Sequence, residues 1–78
     1  MARLLLLGPA REAAGRSSDD LDGATVGDVL AEAVARYGPD FAAVLGSSRV
    51  WVNGEAADPA TVVGPYDEVA VLPPVSGG

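Results

Sequence analysis

The sequence predicts an α+β domain, a mixed sheet of four to five strands packed on one main helix. Three observations lead there. An amphipathic stretch runs from Thr25 to Tyr37, an Asn53-Gly54 pair sits between two strand-like segments, and short apolar runs lie near each end, Leu4–Leu7 and Val69–Leu72. Helical periodicity in the middle with strand signals on both sides gives the order strand, candidate strand, helix, hairpin, strand.

Arg3 to Leu7 is a brief apolar run stopped by Gly8-Pro9, a length that suits a buried strand better than a helix. Ala10 to Ala14 has room for one helical turn, with Gly15 as a left-handed cap. Arg16 to Leu21 is polar and reads as an edge strand or a loop, ahead of a turn at Asp22-Gly23. Thr25 then caps the main helix, with Asp28 three residues on in a near capping box. Val26, Val29, Leu30, Ala33, Val34 and Tyr37 form one apolar stripe, and Asp28, Glu32 and Arg36 lie opposite at i, i+4 spacing. Gly38-Pro39 ends the helix. Phe41 to Leu45 is a helical turn or a loop that tucks Phe41 and Leu45 into the core. Arg49 to Val52 alternates, and Asn53-Gly54 suits the type I′ turn that returns Glu55 to Ala57 as a partner strand. Asp58-Pro59 turns again, Ala60 to Val63 reads as a brief helical turn, and Glu68 to Leu72 is the last strand. The two apolar runs do not alternate, which predicts burial on both faces. One helix covers only one face, so the other is covered by loops or left as an apolar patch for a partner.

Composition narrows the chemistry. Seventy-eight residues make one small domain, 49% apolar, enough for a core without cross-links. There is no Cys and no His, which removes thiolate nucleophiles, disulfides and the commonest neutral-pH acid–base and metal-binding group. All five cationic residues are Arg (Arg3, Arg11, Arg16, Arg36, Arg49), so no lysine is present for Schiff-base chemistry or to accept an isopeptide bond. Autonomous catalysis is not expected. A net charge of −6 argues against nucleic acid and acidic membranes as partners. Leu4–Leu7 is far too short for a signal or a membrane span, and a cytoplasmic location is expected.

The remaining signal is Pro73-Pro74-Val75-Ser76-Gly77-Gly78, directly after the last strand. Prolines favour an extended, stiff stem. Two glycines without Cβ atoms fit a slot too narrow for other residues. Such an end can carry a carboxylate into a partner's active site while the body stays outside. A frayed terminus of small residues is the plain alternative.

Val52-Asn53-Gly54-Glu55, Asp67-Glu68-Val69-Ala70 and the Pro73–Gly78 end, with Leu4–Leu7 followed by Arg11-Glu12-Ala13-Ala14-Gly15, resemble the small sulfur-carrying subunit of molybdopterin synthase. The resemblance implies a ubiquitin-like β-grasp domain over residues 1–72 and an extended, flexible tail over 73–78. It also implies that the Gly78 carboxylate is the reacting group. A ubiquitin-activating-type adenylating enzyme uses ATP to make the glycyl adenylate, and a persulfide sulfur donor replaces AMP to give a thiocarboxylate. The tail then enters the large catalytic subunit of the synthase and gives its sulfur to a cyclic pyranopterin precursor. No cofactor bound by this chain itself is implied, since ATP belongs to the activating enzyme. Gly77 must be lean enough to thread both active sites. Leu72, Pro73, Pro74, Val75, Ser76 and Leu7 are the implied partner contacts, with ordinary core packing the competing expectation for Leu7. Arg11 and Glu12 match the family's stretch, although a surface ion pair is the plainer reading. Trp51, the only Trp, marks a docking site if exposed and nothing special if half-buried. Sulfur carriers of thiamine or cysteine synthesis and ubiquitin-like protein modifiers share the fold and the Gly-Gly end, and both remain open.

Overall fold

A computed structural model describes residues 1–74; Val75, Ser76, Gly77 and Gly78 lie outside the described residues. The elements are β1 (Ala2–Leu6), α1 (Pro9–Ala14), β2 (Ser18–Leu21), α2 (Val26–Tyr37), α3 (Pro39–Leu45), β3 (Arg49–Val52), β4 (Glu55–Ala56) and β5 (Glu68–Leu72). The strands form one sheet in the order β2-β1-β5-β3-β4. β1 and β5 are parallel neighbours at its centre, with Leu4 opposite Val69 and Leu6 opposite Val71, and the other pairs are antiparallel. The polar candidate strand is therefore an edge, and the two apolar runs are the middle.

Their central position does not bury both faces. Ala2, Leu4, Leu6, Val69 and Val71 are buried with Val26, Val29, Ala33 and Phe41 from the helices. The alternate positions Arg3, Leu5, Glu68, Ala70 and Leu72 are exposed or half-buried. The expectation of two buried faces is thus corrected: consecutive apolar residues here supply one core face and one open face.

Thr25 caps α2 as the sequence predicts, its Oγ1 accepting from the Asp28 N–H at 3.2 Å. The donors of Val26 and Gly27, which no helical carbonyl can reach, are taken at 2.9 Å each by the carbonyls of Thr61 and Pro59. This pairing explains why Ala60–Val63 is not the helical turn expected. Ala60 belongs to a turn closed by the Thr61 N–H to Asp58 O, and the residues after it run along the entrance to α2, with Val62 bridged to Thr25 and the Val63 N–H donating to Ala24 O. The stretch after Gly38 also exceeds its expectation. Pro39 opens α3, a helix of seven residues, because a first-turn proline lacks a donor that would be unpaired there anyway.

Asn53 and Gly54 take φ of 51° and 85°, the two positive values of the hairpin turn foreseen. The Asn53 side chain locks that turn to the start of β5, donating to Asp67 Oδ1 at 2.9 Å and accepting from the Glu68 N–H at 3.0 Å. Asp67 also accepts from the Gly64 N–H at 2.7 Å, and this bond, with that from Asn53, holds its carboxyl below the usual range. On the other side of the sheet, Tyr37 OH donates to Asp19 Oδ2 at 2.7 Å, which joins α2 to β2. That bond is the main cause of a lowered Asp19 pKa, with Arg16 and Arg36 contributing, while burial and the same bond push Tyr37 up to about 12. The Tyr37 ring stands edge-on to Phe41, centroids 5.1 Å apart.

Candidate docking face and tail root

β5 delivers the end of the described chain from the middle of the sheet. Leu72, its last residue, is flanked by Arg49 of β3 on one side. On the other side the Leu7 N–H donates to Val71 O at 3.1 Å. Pro73 then passes close to Gly8. A Cβ on Gly8 would stand 3.4 Å from Pro73 Cγ, and its φ of 57° already favours glycine. Pro73 and Pro74 are both exposed. The stem thus leaves the sheet between two neighbouring strands, with its first two residues in solvent.

The open face leads up to this exit. Register places Leu5 of β1, Ala70 of β5, Trp51 of β3 and Ala56 of β4 in one row across the sheet. Leu5, Ala70, Leu72 and Trp51 are half-buried, yet none packs on the hydrophobic core, unlike Leu30, Val34 or Val50 on the helical side. Leu7 is 43% exposed and so is not a core residue. A groove of about 440 Å³ runs beside the row, lined by Arg3, Leu5, Leu7, Gly8, Arg11 and Ser18 among others. A second, of about 310 Å³, lies between β3 and α2 and is walled by Trp51, Arg49, Leu30 and Pro59 among others.

Of the residues singled out in the sequence, Leu7, Leu72, Pro73 and Pro74 stand together at the tail root, whereas Val75, Ser76, Gly77 and Gly78 fall outside the described residues. Trp51 is half-buried on the open face. Arg11 and Glu12 form no ion pair among the described residues, since adjacent residues on a helix do not face each other. Leu5 and Ala70 were not singled out. Both runs are apolar at consecutive positions, so the sequence carried no signal that separates them from core residues, and which parity faces the helices depends on pairing partners. Among the described residues no group of acidic side chains is placed to hold a metal ion. No helix among them is long and apolar enough to cross a membrane.

A match to the ThiS family spans residues 4–78. The chain belongs to that family. It is similar to small archaeal modifier protein 1 (SAMP1) of Methanosarcina acetivorans, with 30% identity, a TM-score of 0.87 and cover of 99% of this chain and 95% of the other. SAMP1 of Haloferax volcanii shares 36% identity at a TM-score of 0.79, covering 99% and 98%. At 22% identity, a chain of the BexX/CysO complex of Amycolatopsis orientalis matches over the full length of both at a TM-score of 0.82, a likeness of fold. The ubiquitin-like β-grasp architecture is therefore established, as is the class: a ThiS-type small sulfur carrier or modifier.

Proposed function

We propose that this ThiS-family chain carries sulfur in molybdenum cofactor synthesis, as the small subunit of molybdopterin synthase. What supports the carrier reading is the course of β5. A strand held on both sides by hydrogen bonds runs without a loop into a solvent-exposed Pro73-Pro74 stem. The stem sequence Pro-Pro-Val-Ser-Gly-Gly supports the molybdopterin branch.

A free carboxylate resists substitution because its leaving group is oxide-like. In the proposed cycle a Gly78 oxygen attacks the α-phosphorus of ATP on the adenylating enzyme, and pyrophosphate leaves. The terminal sulfur of a persulfide attacks the acyl carbon, and AMP leaves with the C–O electron pair. A thiol then cleaves the remaining S–S bond, leaving the thiocarboxylate and a disulfide. The tail next enters the large subunit of the synthase, where the thiocarboxylate sulfur attacks a carbon of the pyranopterin precursor and displaces an oxygen leaving group. Water then attacks the acyl carbon of the resulting thioester, the C–S bond breaks with its electron pair left on the precursor's new sulfur, and the Gly78 carboxylate is regenerated. This chain supplies the acyl end, the narrow Gly77-Gly78 tip and the face that the partners read. A body without His, Cys or Lys places none of those nucleophilic side chains beside the activated acyl group.

The test is reconstitution. The thiocarboxylated chain is mixed in separate reactions with the large subunit of molybdopterin synthase, a thiazole synthase and a cysteine synthase from the same genome. Sulfur delivery to the pyranopterin alone is expected, and delivery to either other acceptor alone overturns the assignment. The similarity to two SAMP1 proteins favours a second reading, a modifier joined through Gly78 to lysines of other proteins. Conjugates of higher mass containing this chain, lost on deletion of Gly78, would identify that role.

A further inference from the structure

Eleven acidic residues against five arginines leave ample carboxylates for every guanidinium. Three arginines use them. Arg3 pairs with Asp20 at 3.5 Å, Arg16 with Asp19 at 3.1 Å, and Arg36 with Glu32 at 3.2 Å and Asp19 at 3.6 Å. Arg11 and Arg49 make no salt bridge among the described residues. Both are exposed, and their positions are not scattered. Arg49 lies directly opposite Leu72 on β3. Arg11 lines the groove with Leu7 and Gly8, and Gly8 is the residue against which Pro73 packs. The two arginines without a salt bridge among the described residues therefore stand on either side of the point where the stem leaves the sheet.

We propose that Arg11 and Arg49 form a cationic bracket at the tail root, which docks on carboxylates flanking the mouth of the tail channel of the adenylating enzyme. The proposal rests on the carrier reading above. Exposed guanidiniums are forked donors suited to carboxylates. At the rim of an interface such charges set orientation and encounter rate more than they add affinity. The apolar row Leu5–Ala70–Trp51 supplies contact area, while the bracket fixes the direction in which the stem enters. Gly78 lies four residues beyond Pro74 in the sequence, a reach of roughly 13 Å when extended. The bracket acts on docking and not on the acyl phosphate.

The test uses the full chain and the purified adenylating enzyme of the same genome, with ATP–pyrophosphate exchange as readout. Arg11→Glu and Arg49→Glu are each compared with an Ala31→Glu/Ala35→Glu variant, which adds the same negative charge on the exposed side of α2. Each reversal is expected to raise KM for the chain at least about fivefold, the effect of setting like charges against each other at an interface. Turnover stays within about twofold, since a rim charge acts on docking, and the control matches wild type. Added salt is expected to raise the wild-type KM and to narrow its gap from either variant. Unchanged KM in both reversals overturns the proposal. An equal rise in the control, or a loss of turnover instead of affinity, does so too. A wild-type chain that supports no exchange overturns the carrier reading itself, which separates the two failures. Circular dichroism verifies folding of each variant.

Discussion

Replacing Gly23 by Ala tests whether the entrance to α2 is packed as tightly as its geometry implies. Gly23 carries no positive φ, so the requirement for glycine is one of space. A Cβ there would stand 2.7 Å from the backbone N of Val29, 2.8 Å from Val29 Cγ2 and 3.0 Å from Asp28 Cβ. Ordinary contact begins at 3.4 Å, so the new methyl or the helix must move by about 0.7 Å. The helix is poorly able to yield. The Val29 N–H is bonded to Thr25 O at 3.1 Å, and the Val26 and Gly27 donors at the start of the helix are held by Thr61 and Pro59. Overpacking of this kind costs about 1–3 kcal/mol, against which alanine recovers roughly 0.4–1 kcal/mol by restricting the unfolded chain. The net loss of about 1–2 kcal/mol lowers Tm by about 5–15 °C for a domain of this size. Thermal unfolding followed by circular dichroism measures it. Gly15→Ala is the comparison, since Gly15 has φ of 76° but nothing within 4 Å of its Cβ. Its loss is about 1 kcal/mol from backbone conformation alone. A Gly23→Ala protein melting at or above wild type would refute the crowding argument.

Two further outcomes follow from the packing. Tyr37→Phe removes the bond to Asp19 and is expected to cost about 1–2 kcal/mol near neutral pH. Because the Asp19 pKa is lowered by folding, its contribution is present above the ordinary carboxylate range and lost as pH falls through the lowered value. Tyr37, pushed up to about 12, contributes fully below pH 10 and loses that contribution as pH approaches 12. Urea unfolding should thus show the wild-type advantage narrowing at both extremes, and a gap unchanged in strong acid would contradict the pairing. Leu4→Ala and Leu5→Ala, adjacent changes on opposite faces, should behave differently. Leu4 is 0% exposed and its truncation costs about 2–5 kcal/mol, while Leu5→Ala leaves Tm close to wild type and weakens partner binding. Equal destabilisation by both would contradict the open face.

Much of this architecture was legible because local chemistry and tertiary context agree. Thr25, the apolar stripe of α2, Gly15 and the Asn53-Gly54 turn each carry a backbone requirement that only a few residue types meet, and each appears where read. The misreadings fall where partners decide. Ala60–Val63 looks helical in isolation, but the carbonyls of Pro59 and Thr61 are needed by the α2 donors. Gly23 looked like a turn residue, and its role as a spacer emerges only with Val29 beside it. Leu5 and Ala70 could not be told from core residues until β1 and β5 were seen as central neighbours with helices on one side. Arg11 and Arg49 lie 38 positions apart, and only the β1–β5–β3 pairing brings them to the same exit.

The most direct test is the mass of the intact chain after incubation with ATP, the adenylating enzyme and a persulfide donor. An increase equal to one exchange of oxygen for sulfur, confined to the peptide ending in Gly78, is the expected result. A chain lacking Gly78 should keep its circular dichroism spectrum and gain nothing. An unaltered mass with an enzyme proven active, or a deletion that unfolds the domain, would contradict the separation of a reactive tip from a folded body.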